Sequence, residues 1–458
     1  MIKRLRLFII LTLLLIFGVA NVYAINEKIP SRIKVGINFN ETSVPNVTLE
    51  SKHGFVIGYY DDSRFVDLLD FSGYSSLIIR KDDYYNNKLT PLGSSKDATI
   101  GPYHVQIGGE FNNLEDALSD LVDIRKEYPN CYIAFDQSYE IWTGAFVSES
   151  EAKSFINNLD KINNRKLKYV NSNDRRVIIN DNSGKILFAI NTEGMQLNFK
   201  SLSEIEGSNI VKVNGINYRG DIIFNRHAKG NLIVINNVGL DNYLYGVLPK
   251  EMSGDWPLEA LKAQAVAARN YGIVNIGKHN ELGFDICDKI DCQVYGGFDV
   301  EKPRSNKAVD ETKGRIITYE GELITPFYHS NSGGRTEDSE NIWSINLPYI
   351  RGVEDNYSFG APHGNWSISF TAQEVEEHLE KYGIYIGKVT DVYPTSYSDN
   401  GRVTSMMYIG TKDKVEIAKE KTRAMFGYYT LKSMQFTMNT HENYYIIDEI
   451  GGEKTSKS

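Results

Sequence analysis

The sequence has little cysteine, no excess of positive charge and few long apolar runs, and each shortage excludes a class of protein. Three cysteines among 458 residues are too few for a small domain held together by several disulfides. Lys and Arg number 50 against 59 Asp and Glu, so the formal net charge is −9 at pH 7. Nucleic-acid-binding proteins carry a basic patch, and nucleic acid is therefore not expected as a partner.

The N-terminus has the one long apolar run of the sequence. The basic residues Lys3, Arg4 and Arg6 precede an apolar stretch over residues 7–19, and small or compact residues follow at Val22 and Ala24. This order is typical of a secretory signal peptide, and the run is shorter than the roughly 20 residues that span a bilayer. We predict that residues 1–24 are a signal peptide, with a retained N-terminal membrane anchor as the alternative.

The rest of the chain has the composition of a folded protein and is long enough for several domains. It is 41% hydrophobic and 24% charged, and its length predicts about two to four domains. Residues 25–98 are predicted to form short strands and turns, to which the sequence assigns no role. Residues 161–175, rich in Asn and Lys, are predicted to be a linker, and residues 441–458 a polar tail.

Residues 99–162 contain an internal repeat. Each copy has an alternating strand, a glycine turn and a segment with helical spacing, and the two strands begin at Tyr103 and Tyr139. With a further strand over Cys131–Phe135, the unit is predicted to be a sheet covered on one face by two helices. It resembles the SPOR domain, which binds glycan strands of peptidoglycan that lack stem peptides. A generic two-fold α+β module is the alternative.

Predicted strands over residues 175–238 lead to a segment with an unusual composition. Residues 240–252 read Leu-Asp-Asn-Tyr-Leu-Tyr-Gly-Val-Leu-Pro-Lys-Glu-Met. Pro257 suits the first turn of a helix, and the Ala-rich sequence that follows has one apolar face at helical spacing. Arg269 lies on that face, where a guanidinium needs a partner or a polar cleft. An ion pair with a buried carboxylate and a place in an active cleft are both open for Arg269.

This segment closely resembles the SpoIID/LytB family. The matching residues are Tyr243, Leu244, Gly246, Val247, Pro249, Glu251, Met252, Trp256, Pro257, Glu259–Arg269 and Tyr271. Asn242 and Asn270 depart from the family pattern. Two further signatures follow at residues 328–336 and 347–351, and the resemblance covers residues 175–440.

The resemblance implies a fold and an activity. The expected fold is α+β and multi-domain, with a strand-rich catalytic region, an Ala-rich active-site helix and a preceding SPOR-like module. The expected activity is that of a lytic transglycosylase, a lyase that cuts between N-acetylmuramic acid and N-acetylglucosamine. Glu251 would protonate the glycosidic oxygen and then assist attack by the muramic acid C6 hydroxyl, so that one carboxylate suffices where ordinary glycosidases use two. A structural salt bridge is the alternative role for Glu251.

The resemblance also implies further site residues. Those expected to hold the substrate or line the groove are Arg269, Tyr349, Arg351, Gln264, His329, Ser330 and Ser332. A structural histidine is the alternative for His329. The Ser332-Gly-Gly sequence predicts a tight turn that would let a sugar chain approach backbone amides.

A metal site is one of two interpretations of the cysteine pair. Cys287 and Cys292 are separated by four residues, and His279 lies upstream, a set that can bind structural zinc. Some family members have His directly before the second cysteine and bind zinc there, whereas this chain has Asp291. A local disulfide is the alternative. The implied chemistry requires no cofactor.

The expected partners are glycan strands of peptidoglycan and a cell-wall amidase. The expected location is outside the cell, in the wall or anchored in the membrane and facing outward, and the SPOR-like module would hold the enzyme close to denuded glycan. The alternative from another class is an amidase enhancer of the LytB type, which stimulates a hydrolase without cutting glycan. A role in sporulation and a role in vegetative wall remodelling are both open.

Overall fold

A computed structural model of the chain describes residues 29–61, 64–159, 161–162, 164–193, 196–203, 209–226, 230–343, 345–358, 366–441 and 444–449. The predicted signal peptide or anchor, residues 1–24, lies outside these ranges. Within them, none of the helices combines the length and the apolar character needed to cross a membrane. The chain divides into two compact units, Met1–Pro326 and Phe327–Ser458.

The first unit is rich in strands. Its described strands are β1 (Arg32–Asn38), β2 (Asn46–Glu50), β3 (Phe55–Asp61), β4 (Arg64–Phe71), β5 (Ser76–Lys81), β6 (Tyr103–Phe111), β7 (Tyr132–Asp136), β8 (Ser138–Phe146), β9 (Lys161–Ile162), β10 (Arg165–Val170), β11 (Arg176–Asn180), β12 (Ile186–Asn191), β13 (Asn198–Ser201), β14 (Ile210–Val213), β15 (Ile216–Arg219), β16 (Asp221–Arg226), β17 (Leu232–Gly239), β18 (Ile286–Cys287), β19 (Thr318–Tyr319) and β20 (Glu322–Leu323). Its described helices are α1 (Leu114–Arg125), α2 (Glu149–Leu159), α3 (Leu240–Glu251), α4 (Leu258–Val274) and α5 (Pro303–Glu311).

Two large sheets form the framework of this unit. One has the order β18-β1-β17-β16-β13-β3-β4, and the other has the order β15-β14-β2-β5-β11-β12-β7-β8-β6-β10-β9. Strands β1 to β5 come from the stretch to which the sequence assigned no role. Strands β1, β3 and β4 belong to the first sheet, and β2 and β5 belong to the second. Apolar side chains of both sheets share one core, with Val35 and Ile235 from the first and Ile79 and Ile179 from the second. The stretch from residue 29 to 98 is therefore part of the scaffold.

The predicted repeat folds as a β-α-β-β-α-β unit. Its strands take the order β7-β8-β6-β10, and each neighbouring pair is antiparallel, which is the ferredoxin-like arrangement. The first strands of the two repeat copies, β6 and β8, are neighbours. Both helices bury apolar residues, with Ala117 and Leu121 in α1 and Ala152 in α2. The predicted strand, turn and helix pattern is confirmed here.

The linker predicted for residues 161–175 is wrong. Its central residues, Arg165–Val170, form β10, which pairs with β6. Leu167 and Tyr169 alternate with the exposed residues Lys166 and Lys168 along this strand. The high content of Asn and Lys concealed a period-two pattern, and the strand completes the sheet of the repeat.

A buried group of charges joins this repeat to the rest of the unit. The Asp82 carboxylate accepts hydrogen bonds from His104 Nε2 and from Arg176 Nη1, both at 2.9 Å. The Arg176 guanidinium also lies over the Trp142 ring, 4.6 Å from its centroid. Burial alone would raise the pKa of Asp82, but the charges of His104, Arg176 and Arg80 outweigh it and hold that pKa well below its usual range. Since β7 also pairs with β12, the repeat is a rigid part of the unit.

The second unit contains smaller sheets and short helices. Its described elements are α6 (Ser339–Trp343), β21 (Ser367–Thr371), α7 (Ala372–Lys381), β22 (Val389–Tyr397), β23 (Val403–Gly410), β24 (Lys414–Ala418), α8 (Glu420–Phe426), β25 (Phe436–His441) and β26 (Tyr444–Glu449). The strands form two sheets, β21-β26-β25 and β22-β23-β24. The polar tail predicted from residue 441 is wrong for β26, because Tyr445 and Ile447 alternate along it and are buried. Residues 450–458 lie outside the described ranges.

We predict that Asp82→Asn destabilises the protein by about 3 to 5 kcal/mol, because it leaves buried cations without their counter-ion. The pKa of Asp82 is depressed by folding, so its contribution is present above a carboxylate's unfolded pKa of about 4 and is lost as the pH falls below it. Urea unfolding at pH 7 and at pH 3 measures both effects.

The matched control is Asp83→Asn, one residue further along. Asp83 is partly exposed and pairs with Lys81 at 2.9 Å, so its loss should cost less than about 1 kcal/mol. Equal losses from the two variants at pH 7 would show that the buried charges do not stabilise the fold.

Candidate active site

Glu251 is the last residue of α3 and is half-buried. Pro249 lies in the same final turn of the helix, and the chain then turns towards α4, whose N-cap is Pro257. The carboxyl end of a helix carries a partial negative charge that repels an ionised carboxylate. Glu251 therefore lies at the negative end of the α3 dipole.

Through Tyr243 and Gly246, two residues of the motif, α3 packs against the segment that carries Gln293 and Tyr295. The Tyr243 ring packs on Tyr295 with 5.2 Å between centroids, and its hydroxyl donates to Gln293 Oε1 at 3.1 Å. A Cβ atom at Gly246 would lie 2.4 Å from the Tyr295 ring and 2.9 Å from the Gly297 carbonyl oxygen. Only glycine permits this approach, so these two motif residues fix the position of the helix that ends at Glu251.

Arg269 is buried away from Glu251. Its side chain is 1% exposed, and its Nη2 lies 3.2 Å from Asp241 Oδ1 in the first turn of α3. Asp241 precedes Glu251 by ten residues, or about 15 Å along a helix. Of the two roles open for Arg269, the geometry favours the structural ion pair, which holds α4 against the start of α3.

Asn270, a departure from the family pattern, has a structural role that its chemistry explains. Its amide nitrogen donates to the carbonyl oxygens of Ile317 and Ile324 at 2.6 and 3.1 Å, and its amide oxygen accepts from the Ile317 N–H at 2.8 Å. A threonine hydroxyl has one hydrogen to donate and could not make both donor contacts. Asn270 thus fastens α4 to the β19–β20 hairpin.

Gln264 is the residue of α4 best suited to contact a ligand. It is half-buried, and its Nε2 is enclosed without a hydrogen-bond partner among the described residues. Buried amide donors are nearly always paired. Within the described part of the chain, the Gln264 Nε2 is therefore an unsatisfied donor inside the protein. Trp256, just before α4, is 51% exposed and adds an aromatic surface.

The 328–336 signature, in the second unit, is held by hydrogen bonds to the loop that contains Asp355 and Ser358. Gly333 and Gly334 have φ values of 69° and 101°, which confirms the predicted tight turn. The Gly334 N–H donates to Ser358 Oγ at 2.7 Å, and the buried Ser332 hydroxyl donates to Asp355 Oδ2 at 2.7 Å. The Ser332 hydroxyl and the Gly334 N–H are therefore already engaged in hydrogen bonds with other residues of the second unit.

Arg402, in the turn between β22 and β23, donates hydrogen bonds to the same loop. Its Nη2 donates to the carbonyl oxygens of Ser332 and Arg335 at 2.7 and 2.9 Å. Surrounding protein and then the positive charge of Arg402 lower the pKa of His329, so this imidazole is neutral at neutral pH. His329 and Ser330 are exposed, which leaves them accessible to a ligand.

Arg351, from the third signature, is engaged in a forked ion pair. Its two terminal nitrogens donate to the two Glu340 carboxylate oxygens, each at 2.7 Å, and one also donates to the Leu347 carbonyl oxygen at 2.8 Å. Hydrogen bonds from Arg351 lower the pKa of Glu340 to about 2. Arg351 therefore holds α6 to the following loop, beside the half-buried Tyr349. The expected site residues divide between the units: Glu251, Gln264 and Arg269 in the first, and His329, Ser330, Ser332, Tyr349 and Arg351 in the second.

The predicted metal ligands come together, and a fourth group joins them. One ligand atom from each of His279, Cys287, Asp291 and Cys292 lies within 4.8 Å of every other. The cysteines are free thiols in the structure. Burial raises the pKa of Cys292 to about 11, so a metal would be needed to hold it as a thiolate at neutral pH. The donor set fits zinc, and Asp291, which counted against a site in the sequence, contributes to it.

The metal cluster continues directly into the support of α3. Cys292 is followed by Gln293 and Tyr295, the two residues that contact Tyr243. On its other side, Cys287 in β18 pairs with Gly36 of β1. A cross-link at this cluster would therefore hold the segment beneath α3 against the first sheet.

We predict that Gly246→Ala destabilises the protein and misplaces Glu251. Overpacking against a ring and a backbone carbonyl should cost about 1 to 3 kcal/mol, which outweighs the roughly 1 kcal/mol gained in helix propensity. Urea unfolding measures the loss. The control is Gly239→Ala at the N-cap of the same helix, where a Cβ atom meets nothing nearer than 3.6 Å. Equal stability of the two variants would show that Tyr295 yields to the added methyl group.

Comparison with known proteins gives a family match over part of this region. The family model described as SpoIID, stage II sporulation protein, matches residues 228–319. An uncharacterized protein of Brachyspira hyodysenteriae is 32% identical over 236 residues, which cover 51% of this chain and 62% of that protein. An amidase enhancer of Bacillus subtilis is 37% identical over 197 residues, which cover 43% of this chain and 26% of that protein.

Stage II sporulation protein D of Bacillus subtilis is 30% identical over 161 residues, covering 32% of this chain and 47% of that protein. The chain thus spans between 26% and 62% of the length of these relatives. The matched residues include Glu251, Gln264, Arg269 and the metal cluster, so residues 228–319 carry a SpoIID family domain, and this region of the chain is similar to the stage II sporulation protein D and the amidase enhancer.

Proposed function

We propose that this protein is an exported lytic transglycosylase that cleaves denuded peptidoglycan between N-acetylmuramic acid and N-acetylglucosamine, in sporulation or wall remodelling. The observation that carries the proposal is the placement of Glu251. Its carboxyl group is half-buried at the negative end of α3, and Tyr295 packed against Gly246 holds that helix in place.

The reaction needs one carboxyl group because the substrate supplies its own nucleophile. Glu251 gives its proton to the glycosidic oxygen as the bond from that oxygen to C1 of the muramic acid breaks, and the N-acetylglucosamine leaves with a hydroxyl group. The Glu251 carboxylate then accepts the proton of the muramic acid C6 hydroxyl as O6 bonds to C1. The product is a 1,6-anhydro sugar, and Glu251 ends protonated as it began.

Trp256 and Gln264, which follow Glu251 in the sequence, have side chains suited to binding a sugar chain. The Gln264 Nε2 donor lacks a partner among the described residues, and sugars present hydroxyl and acetamido oxygens that accept hydrogen bonds. Trp256 is 51% exposed and offers an apolar ring face with a polar N–H. In the second unit, His329, Ser330 and Tyr349 are the proposed glycan contacts, since Ser332 and Arg351 are committed to internal bonds.

Glu251→Gln should abolish the formation of 1,6-anhydro ends on denuded glycan, since the amide cannot donate an acidic proton. General acid catalysis contributes about 10²- to 10⁴-fold, and the rate should fall by at least that factor. Chromatography and mass spectrometry of the digested glycan measure the product. The control is Glu259→Gln, an exposed carboxylate in the first turn of α4 that pairs with Lys262. Wild-type yield from Glu251→Gln would refute the acid role.

An amidase enhancer is the second candidate, favoured by the 37% identity to a protein of that name. An enhancer would raise the rate of a cell-wall amidase and would form no anhydro ends. The same pair of proteins separates the two functions. If wild type and Glu251→Gln stimulate an added amidase equally and neither yields anhydro ends, the enhancer is correct.

The β6-to-β10 repeat is the proposed second contact with denuded glycan. The support is its β-α-β-β-α-β topology together with the strand motif that resembles SPOR domains. Because its sheet continues through β12, the repeat would present glycan from a fixed position within the first unit. Rigid presentation would raise the local substrate concentration without the flexible tether that the sequence suggested.

We also propose a structural zinc ion at His279, Cys287 and Cys292, which would order the segment beneath α3. Purified protein should contain about one zinc per chain by elemental analysis, and Cys287→Ala should lose it while Cys131→Ala keeps it. Removal of the metal should speed amide hydrogen exchange in α3, because Cys292 would no longer be held by the metal and Tyr295, which packs on α3, lies three residues after it.

Counting thiols in denatured, unreduced protein separates zinc from the disulfide. Three reactive thiols are expected with zinc, since metal-bound cysteines are released on denaturation. One reactive thiol, from Cys131 alone, would show that Cys287 and Cys292 form a disulfide and would overturn the metal site.

A further inference from the structure

The four groups of the metal cluster offer ligand atoms that all lie within 4.8 Å of one another. His279 Nε2 lies 3.5 Å from Cys292 Sγ and 3.4 Å from Asp291 Oδ2, and Asp291 Oδ2 lies 3.9 Å from Cys292 Sγ. Zinc bonds of about 2.0 to 2.3 Å in a tetrahedron place ligand atoms roughly 3.3 to 3.8 Å apart. The three separations among His279, Asp291 and Cys292 are close to those of a zinc site, and the Cys287 thiol lies within 4.8 Å of each of these groups.

We propose that Asp291 is the fourth ligand of this site and that Lys278 neutralises the charge it adds. This inference rests on the zinc ion proposed above. Two thiolates, one carboxylate and a neutral imidazole around a divalent ion sum to one negative charge. A histidine in place of Asp291 would give a neutral site, so the carboxylate needs a cation that the histidine would not.

Lys278 is placed to supply that cation. Its Nζ lies 3.0 Å from Asp291 Oδ2 and 2.5 Å from the Asp291 carbonyl oxygen. The Lys278 side chain is 33% exposed and the Asp291 side chain is 61% exposed, so the ion pair lies at the protein surface. Lys289, in the same loop, pairs with Asp288 at 3.1 Å instead.

The ring of His279 is held from its other side. It packs on Phe284 with 5.1 Å between centroids and lies 6.3 Å from Phe39. Packing of this kind fixes the direction of the Nε2 lone pair towards the thiols. Four protein ligands leave no open position for water, so the site is structural and does not activate a nucleophile.

The first test compares zinc affinity by competition with a chromophoric chelator. Asp291→Asn should weaken zinc binding by more than about 100-fold, because losing a residue that hydrogen-bonds to a ligand already costs about 10- to 100-fold in affinity and losing a ligand costs more. Asp291→His should retain zinc binding. Glu281→Gln is the control, since that exposed carboxylate lies beside the other ring nitrogen of His279 at 3.9 Å. Unchanged affinity in Asp291→Asn would overturn the fourth-ligand assignment while leaving the zinc site intact, whereas wild type without zinc would overturn both.

The second test is a double-mutant cycle on Lys278. Lys278→Gln should weaken zinc binding about 10-fold or more when Asp291 is present and should have no effect in the Asp291→His protein, where the site is neutral. Lys289→Gln is the matched control and should be silent in both. An equal effect of Lys278→Gln in both backgrounds would show that Lys278 supports the loop without balancing the ligand charge.

Discussion

The contact between Tyr295 and Gly246 determines where α3 lies, and the position of Glu251 follows from it. The ring occupies the space that any side chain at Gly246 would need, and the Tyr295 hydroxyl donates to Asn236 Oδ1 at 2.8 Å in β17. Helix and sheet are thus joined through one aromatic residue. The segment that carries Tyr295 begins at the metal cluster, so the thiols are connected to α3, and through it to the proposed acid, by the packing of Tyr295.

Buried charges hold the larger framework together, each with its own partner. Arg269 pairs with Asp241 at the start of α3, and Asp82 pairs both with Arg176 of β11 and with His104 of the repeat. An unpaired buried charge is costly, whereas a paired one specifies which elements must meet. These pairs explain why strongly polar residues lie inside an otherwise apolar core.

The signature residues of the second unit serve two different purposes. Ser332 and Arg351 form hydrogen bonds with other residues of the second unit, Asp355 and Glu340, while His329 and Ser330 are exposed. A motif therefore mixes residues that shape a loop with residues that the loop presents. Sequence similarity alone gives both kinds the same weight.

Local patterns in the sequence determined the helix after Pro257, the two copies of the repeat and the segment that ends at Glu251, because periodicity and turn residues act over a few neighbours. The same patterns missed β10 and β26, where Lys, Asn and Tyr obscured a period of two. Only the tertiary structure decided that Arg269 pairs with Asp241 and that Asp291 joins His279 and the two thiols. These residues meet across 28 and 12 positions of sequence, and the folding of distant segments, which no local pattern encodes, sets the distance between them.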